Sequence, residues 1–437
     1  MNATTLDAFR EELTGLAARA PRPTLTDSER VARAKQVMRR RVGAADAAYL
    51  ETCLHCGMCA EACHFYLGTG DAKYTPIEKV APLRRVYKRE IGPLRWLFRL
   101  VSRDITVSQL ESFQELVFDS CTECGRCDLM CPMGIQISPM INIMREALTA
   151  AELAPPEFRA LKAEQATHHT DLGVGRAEIT ALASRLSAEG VSVPVDAAPA
   201  DILYFATPLD VRLFPDSLKN AARIFNRLGA SWTLLGASAE LIGTGESSSE
   251  VDVKRIVAEA EARAARIVIL PECGHAYPRL RFEAANVIGR ELPFEVLTIS
   301  EYLGRQIRDG KLKLEPIAGN LRVTYHDPCK IGRHGGVFEE PRIAVQALGL
   351  ELHEMESHAR TGYCCGGGGG QFLIGRAARL RQRTFEIKMH EADDSGAKAV
   401  VTACNCCRYN FLAGAADANW HTEVKSLVEL VGSQLAD

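Results

Sequence analysis

Eight cysteines of this 437-residue chain fall into two copies of one spacing, Cys53-x2-Cys56-x2-Cys59-x3-Cys63 and Cys121-x2-Cys124-x2-Cys127-x3-Cys131-Pro132. Three thiolates at one-turn spacing wrap three corners of an iron–sulfur cube, and a fourth after a three-residue gap serves the other cluster where two such motifs share a domain. Two cubane [4Fe-4S] clusters are therefore expected on these eight residues. A zinc site would use isolated CxxC or CxxC/HxxxH pairs in one closed tetrahedron and leave the third cysteine of each triplet idle. His55 and His64, inside and beside the first motif, replace no missing cysteine and read as residues near the ligands.

The spacing between the motifs constrains the domain around them. Residues 67–120 have helical periodicity and few strand signals, which argues against a compact two-hairpin ferredoxin and for an all-helical, ferredoxin-like two-cluster domain over residues 46–150. Residues 1–45 precede it as a helical extension, whose basic run Arg39, Arg40, Arg41 reads as a solvated face. Residues 151–199 form a helical connector, with 191–199 as the linker. The pattern then changes. Apolar runs at 202–205, 232–235, 267–270, 323–325 and 399–401 alternate with helical stretches, which predicts α/β modules with parallel strands.

That α/β region repeats internally, as modules 200–310 and 311–437. Leu203-Tyr204-Phe205-Ala206-Thr207-Pro208 parallels Val323-Thr324-Tyr325-His326-Asp327-Pro328, and the element beginning Glu295-Val296-Leu297 parallels Glu423-Val424-Lys425. In this register Leu209 stands where Cys329 stands, and Leu241-Ile242-Gly243 where Cys364-Cys365-Gly366 stands. The first module is degenerate.

The remaining cysteine set explains why the difference matters: Cys329, the adjacent Cys364 and Cys365 opening the glycine run Gly366 to Gly370, then Cys404, Cys406 and Cys407. Adjacent cysteines seldom bridge each other, and two neighbouring sulfurs flanked by a distant one and a CxxC suit an iron cluster of unusual shape. The order C, CCG, CxxC resembles the cysteine-rich (CCG) module of heterodisulfide reductase catalytic subunits and of the glycolate oxidase iron–sulfur subunit. Cys63-His64-Phe65-Tyr66-Leu67-Gly68-Thr69-Gly70-Asp71, Arg84-Arg85-Val86-Tyr87-Lys88-Arg89, Glu272-Cys273-Gly274-His275-Ala276-Tyr277 and His326-Asp327-Pro328-Cys329 are most similar to the heterodisulfide-reductase-like subunits of the Dsr and Tmc membrane complexes of sulfur metabolism.

The resemblance implies one noncubane [4Fe-4S] cluster on Cys329, Cys364, Cys365, Cys404 and Cys407, with Cys406 as a competing ligand. Two-module relatives split a disulfide between a pair of such clusters; one competent module is present here. Cys273, the one cysteine of the degenerate module, is expected to face the cluster across the pseudo-twofold interface. His326 or His275 is the candidate proton donor, histidine being the side chain whose ordinary pKa suits exchange near neutrality. Lys330 and Arg333 would offset the negative charge of an all-thiolate cluster. The glycine run lacks the strand, helix and acidic residue of a dinucleotide fingerprint, and close backbone approach to a cluster explains it better.

At this length two or three domains are expected, and a net charge of −3 argues against nucleic acid as a partner. So many unpaired cysteines imply a reducing compartment. Residues 1–20 lack an apolar signal core, and no window is long and apolar enough to span a bilayer. The expected location is cytoplasmic, membrane-associated through a partner. Residues 91–103 set Arg95, Arg99 and Arg103 at four-residue spacing against Leu94, Trp96, Leu97, Phe98, Leu100 and Val101, a face that either packs inside the helical domain or docks on a membrane partner. The resemblance implies an iron–sulfur oxidoreductase. Its cubanes would connect an integral membrane cytochrome b or quinone-reactive subunit with a disulfide or dithiol substrate, protein-borne or small. The alternative is an electron-transfer subunit serving a flavoprotein dehydrogenase and quinone, without thiol catalysis.

Overall fold

A computed structural model describes residues 3–237 and 248–436. Among the described residues no strand precedes Ile202, so the N-terminal part is helical. The helix Asp27–Arg41 begins at a capping box: Glu29 N–H donates to the Thr26 hydroxyl, and Thr26 N–H donates to the Glu29 carboxylate at 2.8 Å. Its buried Ala34 and Met38 pack on the helix Ile137–Ala150, where Ile141, Met144 and Leu148 recur on one face. The helix Pro76–Glu90 starts on a proline, whose missing N–H is harmless in a first turn, and turns Val80, Leu83 and Tyr87 inward.

Two four-stranded parallel sheets follow. The first contains β1 Ile202–Tyr204, β2 Trp232–Leu234, β3 Ile267–Leu270 and β4 Glu295–Thr298 in the order β2-β1-β3-β4. The second contains β5 Arg322–His326, β6 Glu351–Leu352, β7 Ala399–Thr402 and β8 Glu423–Ser426 in the order β6-β5-β7-β8. Ile202 lies opposite Ile267 in one sheet and Val323 opposite Ala399 in the other. The inner strands β1, β3 and β7 are buried almost throughout and mainly apolar, as parallel strands covered on both faces are. All five apolar runs read as strands are strands. The Leu241-Ile242-Gly243 register lies outside the described residues. Residues 191–199 are tied to the first sheet rather than free: Leu234 N–H donates to Pro194 O at 2.8 Å and Asp196 N–H to Leu234 O at 3.0 Å.

The two sheets share one core, which contains Tyr204, Ile269 and Leu297 of the first, Tyr325 and Val401 of the second, and Val428 of the helix after β8. Two helix pairs close that interface. The helix after β4, Ile299–Arg308, packs on the helix after β5, Glu339–Ala347; the helix after β8, Leu427–Ser433, packs on Pro215–Arg227, which follows β1. Each contact is tight enough to require glycine, since a Cβ on Gly304 would stand 2.4 Å from Glu340 Cβ and one on Gly432 would stand 2.4 Å from Asn220 Cβ. A second core runs from the helical domain (Leu83, Phe118, Met144) into the C-terminal module (Phe372, Phe385, Phe411) and includes Cys364, Cys365 and Cys407.

The segment 91–103 leaves most of its apolar residues, Leu94, Trp96, Leu97, Leu100 and Val101, open to solvent. Its helix Arg95–Val101 leaves Trp96 63 %, Leu100 78 % and Val101 71 % exposed, and Lys88 covers Phe98 with its ammonium 5.5 Å from the ring centre. Internal packing therefore accounts for Ile91 and part of Phe98 but not for Leu94, Trp96, Leu97, Leu100 and Val101.

Candidate metal centres

The eight cysteines of the two repeated motifs divide by space, not by motif. Cys53, Cys56, Cys59 and Cys131 surround one pocket, walled by Leu50, Ile77, Val80 and Met140. Cys63, Cys121, Cys124 and Cys127 surround a second, walled by Phe65, Pro76 and Ile141. Each motif lends its fourth cysteine to the other pocket, as the spacing led us to expect. Both loops use the same backbone device: His55 and Gly57 in one, Glu123 and Gly125 in the other, have left-handed φ of 54°, 83°, 52° and 73°. Such alternation curls a short loop around a central object, and glycine accepts it without strain.

The donor set suits a cation. Every cysteine is unbridged. Burial, then the neighbouring Cys53 and Cys131, pushes the Cys59 thiol up to about 11; burial pushes Cys127 well above the ordinary thiol range. A metal centre that supplies positive charge is what such thiols need in order to ionise. Cys56 is exposed, beside exposed Leu54, Met58 and Met133, so the first pocket opens at the surface. The second pocket is interior and ringed by cations. Lys79, 2 % exposed, donates to Cys63 Sγ at 3.4 Å and to Ser120 O. Arg145, fully buried, donates to Val117 O and Cys121 O, each at 2.7 Å, and to Gly369 O at 2.8 Å, stitching the cysteine loop to the glycine run.

The C-terminal cysteines converge at the carboxyl ends of β5 and β7, where the strand order reverses, the position at which open parallel sheets hold ligands. Cys329 follows β5, and Cys404 caps the helix Asn405–Ala418 after β7. The sulfurs of Cys329, Cys364, Cys365, Cys407 and Cys404 follow one another in that order, each within hydrogen-bonding reach of the next. Hydrogen bonds from Cys329 and Cys365 hold Cys364 well below the usual thiol range, and one from Cys407 holds Cys404 down. Cys406 instead turns its thiol to Gly367 O, 3.6 Å away. The glycine run is a cradle: a Cβ on Gly366 would stand 2.5 Å from Thr384 Oγ1, one on Gly369 2.9 Å from Arg145 Nη1, and one on Gly368 3.8 Å from Cys364 Sγ.

This site abuts the interior cubane pocket. Cys124 feels Cys364 electrostatically and is pushed up to about 11 by burial and by that neighbour, while Arg333 donates to Cys124 O at 2.8 Å. The three cysteine sets therefore stand in series, from exposed Cys56 to interior Cys124 to Cys364.

The first α/β region contributes directly. Gly274 lies against Cys404, a Cβ there falling 3.6 Å from Cys404 Sγ, and Glu272 O accepts the Asn405 N–H at 2.7 Å, so buried Cys273 sits on a segment pressed against the sulfurs. His275 Nε2 accepts the Gly369 N–H at 2.8 Å, which puts its proton on Nδ1. Burial, assisted by Lys330, pushes His275 down to about 4; burial pushes His326 down to about 3. Both imidazoles are neutral near pH 7 and act as N–H donors or acceptors rather than as cations. Asp327 is spent on structure, pairing with Arg342 at 2.9 Å through both oxygens and accepting the Ala359 N–H. His334 packs on Gly125 instead of at the C-terminal sulfurs.

Sequence reasoning undervalued His64 and passed over Lys79, Arg126 and Arg145. His64 is 1 % exposed and senses both Lys79 and Cys364, between the interior pocket and the C-terminal site. Arg126 stacks 3.7 Å above the Tyr363 ring, next to Cys364, and donates to Thr361 O at 2.8 Å. The available signal was position alone: Arg126 lies inside a cysteine motif and His64 immediately follows a ligand.

Residues 49–135 match the 4Fe-4S dicluster domain family and residues 323–412 the CCG cysteine-rich domain family. A polypeptide of the dihydromethanophenazine:CoB–CoM heterodisulfide reductase of Methanosarcina acetivorans is 29 % identical, over 88 % of this chain and 94 % of that protein. The Hdr-like menaquinol oxidoreductase iron-sulfur subunit 2 of Archaeoglobus fulgidus is 25 % identical, over 89 % and 80 %. The EtfAB:quinone oxidoreductase of Syntrophomonas wolfei is 26 % identical, over 87 % of this chain and 58 % of that protein. In fold, a hypothetical protein from Helicobacter pylori matches with a TM-score of 0.51 at 11 % identity, over 85 % of this chain and 75 % of its own.

Proposed function

We propose, from the premise that this chain is a heterodisulfide-reductase-like iron–sulfur protein with a dicluster domain and a CCG domain, that it conducts electrons inward to a site of disulfide or dithiol chemistry. Cys53, Cys56, Cys59 and Cys131 would hold a surface cubane, Cys63, Cys121, Cys124 and Cys127 an interior cubane, and Cys329, Cys364, Cys365, Cys404 and Cys407 a noncubane [4Fe-4S] centre. When bound, these clusters supply one-electron steps to a two-electron sulfur substrate. The serial arrangement of the three cysteine sets carries the reading, because a site without internal relay needs no path from the surface.

The remaining roles belong to the chain's own side chains. Lys79, Arg145 and Arg333 offset thiolate charge around the interior set. His275 presents Nδ1–H, and His326 and Cys273 are the further candidates on the reacting side. The matching strand orders and reciprocal helix pairs support reading 200–310 and 311–437 as pseudo-symmetric modules, the first stripped of ligands but supplying the Glu272–His275 wall of the second. A dithiol or cysteine-tailed protein added to oxidised enzyme is expected to change the EPR signal of the C-terminal centre and leave the cubane signals unaltered. Cys273→Ser should weaken that change at constant iron content.

A second reading has its own support: every cysteine of the C-terminal site is buried, at most 9 % exposed. On it the chain only relays electrons between a flavoprotein dehydrogenase and quinone. Reduction of all centres by a flavoprotein with no response to thiols selects that reading.

The partner is an integral membrane cytochrome b or quinone-reactive subunit, docked on the helix Arg95–Val101. No helix among the described residues is long and apolar enough to cross a membrane, and Leu94, Trp96, Leu100 and Val101 lie open beside Arg95 and Arg99. Trp96→Ser with Leu100→Ser should release the protein from membranes without bleaching its clusters, as both side chains are solvent-facing and their loss leaves the core intact. Unchanged retention in a sedimentation assay would refute this docking site.

A further inference from the structure

His326 ends β5, three residues before Cys329, and is 1 % exposed. Neither of its ring nitrogens has a hydrogen-bond partner in the protein, an uncommon state for a buried polar group that calls for an explanation. Its ring meets Phe411 edge to face at 5.0 Å, which fixes the ring plane. A ring nitrogen, Cys365 Sγ and Cys407 Sγ all lie within 4.8 Å of one another. Of the charged groups that act on it most, Lys388 and Arg333 are donors and cannot accept its N–H, and the third, Cys364, is itself a sulfur of the site. The sulfurs are the acceptors within its reach.

We infer that His326 donates a ring N–H to the sulfur of Cys365 or Cys407 when these hold the C-terminal centre, and that this hydrogen bond sets the centre's reduction potential. The inference rests on the proposed function in needing that centre to exist. Five cysteine sulfurs already stand ready for the irons, so the imidazole is a donor to sulfur and not a further ligand. A donor to thiolate stabilises the more negative, reduced state and so raises the potential. His326 is thus a positioning residue.

The test uses the full chain purified without oxygen. In wild type labelled with 15N-histidine, electron–nuclear double resonance should detect a weak 15N coupling on the C-terminal signal and none of comparable origin on the cubanes. His326→Leu should retain iron and sulfide, lose that coupling, and shift the C-terminal midpoint potential to lower values with the cubane potentials unmoved. His326→Gln, which restores an N–H, should recover part of the shift. A strong coupling typical of iron-bound nitrogen would overturn the donor role, and so would absence of any 15N coupling. If the leucine variant does not fold, the labelled wild type still decides. A wild-type protein with no C-terminal signal would instead refute the proposed function.

Discussion

Cys365→Ala is expected to lower iron and inorganic sulfide from about twelve to about eight per chain and to erase the C-terminal EPR signal while both cubanes remain reducible. Cys365 stands in the middle of the five-sulfur succession, touching Cys364 on one side and Cys407 on the other. Its removal breaks that succession at its centre. The cubane pockets take none of their cysteines from the C-terminal module, so they should survive. Iron and sulfide analysis beside EPR reads both outcomes. Loss of every cluster from a protein that stays folded and soluble would sink the modular assignment, and about eight irons in wild type would remove the third centre altogether.

Cys124→Ala should have the opposite effect. The C-terminal centre is expected to form and to respond to chemical reductants, yet reduction by a protein donor at the surface should fall below detection. Cys124 is the interior cysteine that feels both its own set and Cys364, and Arg333 clamps its carbonyl. Without it the interior set is incomplete and the surface set around Cys56 has no neighbour through which to reach Cys364. Stopped-flow spectra with a donor, set beside dithionite titration, separate connection from assembly. Donor-driven reduction of the C-terminal centre at the wild-type rate would mean that electrons enter elsewhere.

What was legible in the sequence was what local spacing encodes. The grouping of the eight motif cysteines around two pockets, with Cys63 and Cys131 exchanged, follows from spacing that is written locally in each motif. The strands could be read because β1, β3 and β7 are short, mainly apolar runs and β5 carries the apolar pair Val323 and Tyr325; β6, with Glu351 exposed and Leu352 half-buried, carries no such signal. The cationic ring around the interior set could not be read. Lys79 is one lysine on a helix until Ser120 and Cys63 fold over it, and Arg145 gains its meaning from Gly369, 224 residues away. His64 was underrated for the same reason, since its proximity to Cys364 is created by docking of the helical domain on the C-terminal module.

The paired contacts Gly304 on Glu340 and Gly432 on Asn220 have a genetic consequence. When an interface forms between two copies of one polypeptide, any substitution appears on both sides at once, so a change that helps one side and harms the other cannot persist. Joining the copies in a single reading frame removes that bond between them. Within one polypeptide position 209 can be leucine while position 329 is cysteine, and Glu272 to His275 can serve as a wall for sulfurs that another part of the chain carries. A single chain that supplies both sides of such a contact thus offers selection two addresses where a dimer offers one.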